Sequence, residues 1–190
     1  LHDAKFDEDR AAVLQRALDT LEWIVLIGDG IASSRDALAL TRENVYAAVG
    51  VHPYHPHEVT PEGITALREM AADKHVVAIG EIGLDYYKYN EAPADQQQTA
   101  FRAQMELASE LSLPVVIHNR DAENDTLTIL GEYDGRVPGV IMHCFSGDAA
   151  FAERCVARGY YVSFAGNVTY PKAQQLRDAA AVVPMDRLLV

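Results

Sequence analysis

Short apolar runs recur along this chain at the spacing of strand–helix units, and several stop at a side chain with chemistry to offer. Val76–Gly80 leads into Glu81, Leu113–Ile117 into His118, and Gly139–Met142 into His143. Uninterrupted apolar runs of this length, bounded by glycine or proline, read as strands buried on both faces, as in a parallel sheet covered by helices. A carboxylate at the exit of such a strand is costly unless a partner neutralises it, and a metal ion is a frequent partner. One glutamate and two histidines at the same end of three strands is the pattern from which the rest is read.

The segments between the strands carry a helical period. Asp7–Leu21 puts Val13, Leu14, Ala17, Leu18 and Leu21 on one face, with acidic residues near its N-terminus. Trp23–Ile27 is a strand ending at Gly28-Asp29-Gly30, and Ser33 or Ser34 is expected to cap a helix through about Glu43. Val45–Val51 is the next strand, leaving through His52-Pro53-Tyr54-His55-Pro56-His57. Thr60-Pro61 opens a helix. After strand Val76–Gly80 and a loop at Glu81, a long helix is expected from about Ala94 to Leu111, with Phe101, Met105, Ala108 and Leu111 inward. Strand Val115–His118, a helix near Ala122–Gly131, strand Val140–His143, and a helix over Ala149–Arg158 follow. Strand Tyr160–Phe164, a helix near Lys172–Ala181, and the run Arg187–Val190 complete the chain.

Strict alternation of this kind predicts an α/β fold, either an open doubly wound sheet or a (β/α)8 barrel of TIM type. The barrel is favoured because Asp29, His52, Glu81, His118, His143 and Asn167 all fall at C-terminal strand ends. An open sheet gathers its site at one switch point, whereas a closed barrel brings every strand end to one mouth.

Composition bounds the functions open to such a fold. The 190 residues, 49% hydrophobic and 23% charged, suffice for one domain with a substantial core, and no low-complexity linker divides them. Sixteen Lys+Arg against 28 Asp+Glu give a net charge of −12, which argues against broad adhesion to nucleic acid or anionic membrane. A phosphate substrate held by metal ions stays open, because bound cations dominate the field of a site. Two cysteines, Cys144 and Cys155, suit a reducing compartment rather than a disulfide framework. No apolar run approaches membrane-spanning length. A cytoplasmic monomer without an obligate protein partner is expected. The chain opens at Leu1 and stops within Leu188-Leu189-Val190, and both ends are expected to be cuts in a longer protein.

Glu81, His118 and His143 have the ligand types of a divalent metal site. Each alone reads more readily as a half-buried hydrogen-bonded residue; three in one strand-end register reverse the balance. His52, also at a strand end, is a further site residue. Arg120 either binds phosphate or pairs with an acidic neighbour. Gly28-Asp29-Gly30 lacks the third glycine of a dinucleotide fingerprint and is a turn. Cys144 is expected to point away from the mouth into packing.

Together V-G-V-H-P, G-E-I-G-L-D-Y-Y, V-V-I-H-N-R-D-A and M-H-C-F-S-G, in this order and spacing, resemble the TatD family of metal-dependent deoxyribonucleases, among the amidohydrolase-type barrels. The resemblance runs from Asp7 to Val190. It implies hydrolysis of phosphodiester bonds in DNA with two divalent ions (zinc, magnesium or manganese). Glu81 would bridge the ions, His118 and His143 would complete one of them, and His52 would sit near the scissile phosphate with Arg120 beside it. The family has serine where Asn119 stands. It also implies an H-x-H pair before Leu1 and an E-T-D segment after Val190, so the barrel over residues 1–190 is expected to lack its first strand and to be truncated at its eighth. Hydrolysis of another ester or an amide, including an aminoacyl ester on tRNA, and a non-catalytic metal-binding role are the alternatives.

Overall fold

The computed structural model describes residues 1–190. Seven strands form one parallel sheet in sequential order: β1 (Ile24–Ile27), β2 (Val45–Val49), β3 (Val76–Asp85), β4 (Val115–Arg120), β5 (Val140–Met142), β6 (Tyr161–Ser163) and β7 (Leu188–Leu189). The helices are α1 (Arg10–Leu18), α2 (Ile31–Ala39), α3 (Pro61–Met70), α4 (Ala94–Leu111), α5 (Glu123–Gly131), α6 (Ala149–Val156) and α7 (Gln174–Val182). Each strand pairs with the next in the chain, which is the order of a (β/α)8-type barrel rather than of a doubly wound sheet. β1 and β7 each pair on one side only, so the sheet curls as an open part of a barrel.

Two apolar layers follow from the period-2 alternation of strands. The outer layer joins Leu26, Ala47, Val49, Ile79, Ile82, Val115, Ile117, Val140 and Met142 to the helices. The inner layer consists of Ala48, Ala78 and Val116, with Val25, Ile27 and Ile141 against them, all from strands. Small residues on the inner face let the sheet curve tightly.

Several elements depart from the sequence reading. α2 begins at Ile31, with Gly30 in the capping position, and Ser33 and Ser34 lie inside it. Glu58 supplies the missing cap: its Oε2 accepts the N–H of Ile31 at 2.8 Å. The Ser34 hydroxyl is fully buried and bonds both the N–H and the C=O of Gly50, each at 3.1 Å. β3 does not stop at Gly80 but runs through Glu81 to Asp85. Thr60 caps α3 as expected, its side chain accepting from the Gly63 N–H.

α4 fastens two strand exits. The buried Gln104 amide accepts the Val51 N–H at 2.8 Å and donates to the Val51 carbonyl at 3.0 Å. One heptad earlier on the same face, Gln97 accepts the Asp85 N–H at 2.8 Å and donates to the Ala92 carbonyl at 2.7 Å. Val51, two residues beyond β2, and Asp85, the last residue of β3, lack ladder partners for these groups, and the two glutamines satisfy them.

Candidate metal centre at the mouth of the sheet

Strand parity decides which side chains reach the C-terminal mouth. On β4, Val115 and Ile117 belong to the outer layer and Val116 to the inner one, so His118 follows Val116 inward. The same alternation carries His52 inward beyond Ala48 and Gly50, and His143 beyond Ile141.

Glu81 needs a different device. Ile79 pairs with Val115 and Ile82 with Ile117, so three steps along β3 match two along β4, and β3 carries one extra residue. Plain alternation from Ile79 would send Glu81 into the outer core. The bulge at Gly80–Glu81 turns the carboxylate to the mouth, while Ile79 and Ile82, both 0% exposed, stay in the outer layer. Glycine is required where the strands close on it. A Cβ on Gly80 would lie 2.5 Å from the Val116 Cβ, and one on Gly83, whose φ is +138°, 2.0 Å from the His118 carbonyl oxygen.

His118 stands between two carboxylates. Its Nδ1 lies 3.3 Å from Glu81 Oε1 and its Nε2 2.8 Å from Asp85 Oδ2. Asp85 is 0% exposed, and its Oδ1 accepts the Tyr87 N–H at 2.9 Å. The Asp85 carboxylate thus holds one ring nitrogen and aims the other at Glu81, the arrangement by which outer-shell carboxylates orient ligand imidazoles. The His52 ring meets His118 edge-on at 4.2 Å, and its Nδ1 accepts the Tyr54 N–H at 3.2 Å. In the neutral ring the proton therefore resides on Nε2, a donor.

The electrostatics follow from burial set against these contacts. Burial, then the charge of His118, lowers the His52 pKa to about 4 against the opposing Glu81, Asp85 and Asp29, so His52 is neutral at physiological pH. Burial also opposes charge on His118, but Glu81 and Asp85 outweigh it, and its pKa is raised. For Glu81, burial pushes the carboxyl up, while the hydrogen bond and charge of His118, with His143 and His52, more than offset it; the net shift is downward.

One ligand atom from each of His52, Glu81 and His118 lies within 4.8 Å of the others. Imidazole nitrogen with carboxylate oxygen is a donor set for zinc and similar divalent ions. His118 Nδ1 faces Glu81 Oε1 at 3.3 Å with a His52 ligand atom in the same group, so the residues fit a divalent ion. Glu81 and His118 are brought together as expected. His143 is not in that group: it stands on the same rim, where its charge acts on Glu81, but its Nε2 lies 3.3 Å from Cys144 Sγ. His52 takes the third place instead. Cys144 is exposed rather than packed, on a backbone with φ of 44°, and burial around the thiol, with the Glu81 charge second, raises its pKa.

Of the two courses expected of it, Arg120 does not take that of pairing with an acidic neighbour. It forms no ion pair with a carboxylate, and its guanidinium lies 3.6 Å from the centre of the Tyr87 ring. Asp85, Gln97 and Gln104 were missed as parts of the site. The signal for Asp85 was its place four residues beyond Glu81; the glutamines signalled only as polar residues on the apolar stripe of α4.

A sequential parallel barrel sheet with imidazole and carboxylate donors at its C-terminal mouth defines the class of metal-dependent barrel hydrolases. The model of the TatD related DNase family matches residues 1–190, and the chain belongs to that family. It is 39% identical over 193 residues to the metal-dependent hydrolase YabD of Bacillus subtilis strain 168, covering 100% of this chain and 75% of that one. It is 36% identical over 195 residues to the 3'-5' ssDNA/RNA exonuclease TatD of Erwinia amylovora, again covering 100% of this chain and 75% of the relative. Among solved structures, the TatD homologue YjjV of Escherichia coli K12 superposes with a TM-score of 0.89 at 31% identity, over 99% of this chain and 74% of that one. No helix is long and apolar enough to cross a membrane.

Proposed function

We propose that residues 1–190 form one barrel domain of a divalent-metal-dependent phosphodiesterase whose substrate is DNA. The observation that carries this reading is the convergence of Glu81, His118 and His52 at one mouth, in a chain similar to a named nuclease. Glu81, His118 through Nδ1, and His143 on the same rim would hold the metal. Two ions of zinc, magnesium or manganese type, bridged by Glu81, would activate a water and neutralise the phosphoryl oxygens. Asp85 fixes the His118 ring. His52, neutral and with Nε2 as donor, offers a hydrogen bond to a phosphate oxygen rather than a positive charge. Arg120 supplies the charge, its guanidinium free of carboxylates and steadied on Tyr87. The protein works as a cytoplasmic monomer, a reading supported by its two free thiols and its net charge of −12.

The test is Glu81→Gln in the full-length protein. The substitution keeps shape and removes the negative charge between two cations, so DNA hydrolysis falls below a tenth of wild type with an unchanged circular dichroism spectrum. Retention of more than a tenth of the rate rejects Glu81 as the bridging ligand. Hydrolysis that survives a chelator rejects the metal-dependent reading.

A further inference from the structure

The histidines divide by what holds their rings. His2 has Ser33 as partner, His52 the Tyr54 N–H, His75 Asp73, His118 its two carboxylates, and His143 Cys144. His55 and His57, in the loop between β2 and α3, have no such partner. Their rings meet crosswise at 89°, with centres 6.0 Å apart, rather than stacking. One nitrogen of each lies within 4.8 Å of the other and of a Glu58 carboxylate oxygen. These three atoms form a group separate from that of His52, Glu81 and His118.

The loop holds the three residues in place. Pro53 and Pro56, both buried, each fix a backbone angle on the approach to Glu58. Pro56–Glu58 make one 3-10 turn, in which positions three apart eclipse, so His55 and Glu58 fall on one side. The His55 carbonyl accepts the Glu58 N–H at 2.9 Å, and the Pro56 carbonyl accepts the Val59 N–H at 3.1 Å. The Glu58 side chain is fixed as well. Its Oε2 takes the Ile31 N–H at the start of α2, which leaves Oε1 to a further ligand. Helix α3 closes on the Glu58 backbone, since a Cβ on Gly63 would lie 2.0 Å from the Glu58 carbonyl oxygen. His57 is exposed, so an ion reaches the group directly from solvent.

We infer that His55, His57 and Glu58 form a second divalent-cation site, outside the mouth, which takes zinc through two imidazole nitrogens and one carboxylate oxygen, with water in the fourth place. Two nitrogen donors set it apart from magnesium and calcium sites, which are built from oxygen. Zinc binds imidazole nitrogen at about 2.0–2.1 Å, so tetrahedral donors stand about 3.4 Å apart. Atoms already within 4.8 Å of one another reach that spacing by turning side chains, with the backbone unmoved. The inference does not depend on what the mouth hydrolyses. Its consequence is local: the ion joins the loop to the N-terminus of α2 through Glu58. The His52 carbonyl accepts the His55 N–H at 2.9 Å, so zinc here braces the turn that presents His52.

The experiment uses the full-length protein, both wild type and Glu81→Gln, the second to weaken binding at the mouth. Each is dialysed at micromolar free zinc, and the zinc retained is counted by mass spectrometry. Cobalt(II), which absorbs strongly in the visible when tetrahedral, is titrated in parallel. In both backgrounds, His55→Ala combined with His57→Ala lowers the zinc content by one ion per chain. In the Glu81→Gln background it also abolishes the cobalt band that zinc displaces. Glu58→Gln keeps an oxygen for the Ile31 N–H but loses the charge, and it weakens zinc binding with the circular dichroism spectrum unchanged. A merely structural glutamate would not give that loss. Zinc raises the Tm of the Glu81→Gln protein, and the histidine substitutions remove the rise. Undiminished zinc content in the histidine variant overturns the site, as does zinc affinity unaltered by Glu58→Gln, or a Tm rise given equally by magnesium. DNA hydrolysis enters none of these readouts, so failure of the nuclease reading leaves the result standing.

Discussion

At the scale of single residues, the candidate centre leans on a carboxylate that reaches it through the His118 ring. Asp85 is sealed from solvent, and its two oxygens are used by His118 Nε2 and the Tyr87 N–H. Asp85→Asn retains the size but replaces one acceptor oxygen by an amide, which must either flip toward the ring or lose its bond to Tyr87. Outer-shell substitutions of this kind cost about 10- to 100-fold in metal affinity or activity. Asp85→Asn in the full-length protein is therefore expected to bind zinc about 10- to 100-fold more weakly in a competition titration. Affinity within twofold of wild type would show that His118 is oriented by something else. Asp85 stands in plain view in G-E-I-G-L-D-Y-Y, but its role depends on pairing across to β4, which single-strand periodicity does not encode.

At the scale of elements, α4 acts as the fastening for the site. Gln104 occupies both the donor and the acceptor of Val51, one residue before His52. Gln104→Leu preserves volume and strands two buried backbone groups, each costing about 1–3 kcal/mol. The expected destabilisation is about 2–6 kcal/mol in urea unfolding, with a fall in hydrolysis because His52 loses its fixed exit. A change below about 1 kcal/mol would mean that the Val51 groups find other partners. The helix itself was legible to its last residue, since Ala94–Leu111 is a long apolar stripe bounded by Pro93 and by Ser112 in a left-handed conformation. β3 was read too short because the bulge breaks the alternation at Glu81 and disguises the rest of the strand as loop. The cap of α2 was misplaced because a carboxylate from a distant turn, Glu58, does the work expected of a local serine.

At the scale of the whole molecule, the barrel order was legible because parallel strands need helical crossovers, and seven apolar runs in alternation leave few topologies. The meeting of Glu81 and His118 at the mouth was legible in the sequence. The nearness of His52 to that pair, and the turn of the His143 ring toward Cys144, were not, since both depend on contacts at the rim that no single strand encodes. Global charge sets a further expectation. A chain at −12 whose cations beside the mouth are Arg120 and Lys88, neither in an ion pair, neutralises about two phosphates of a single strand, so log K should fall with log[salt] at a slope near −1.4. Titrations of an oligothymidylate across a salt series measure it. A slope steeper than about −4 would reveal a basic track elsewhere on the surface.

The extra residue in β3 divides the strand into two reading frames. Before it, Ala78 faces inward and Ile79 outward; after it, Ile82 and Leu84 face outward, and Gly83 and Asp85 inward. Substitutions on either side are absorbed locally, one site at a time. Removing a single residue between Ile79 and Ile82 is another matter, because it puts everything downstream out of phase. Two large aliphatic side chains would then face the mouth, and Asp85 would be driven into oil. In this stretch the chain can vary its letters but not their number.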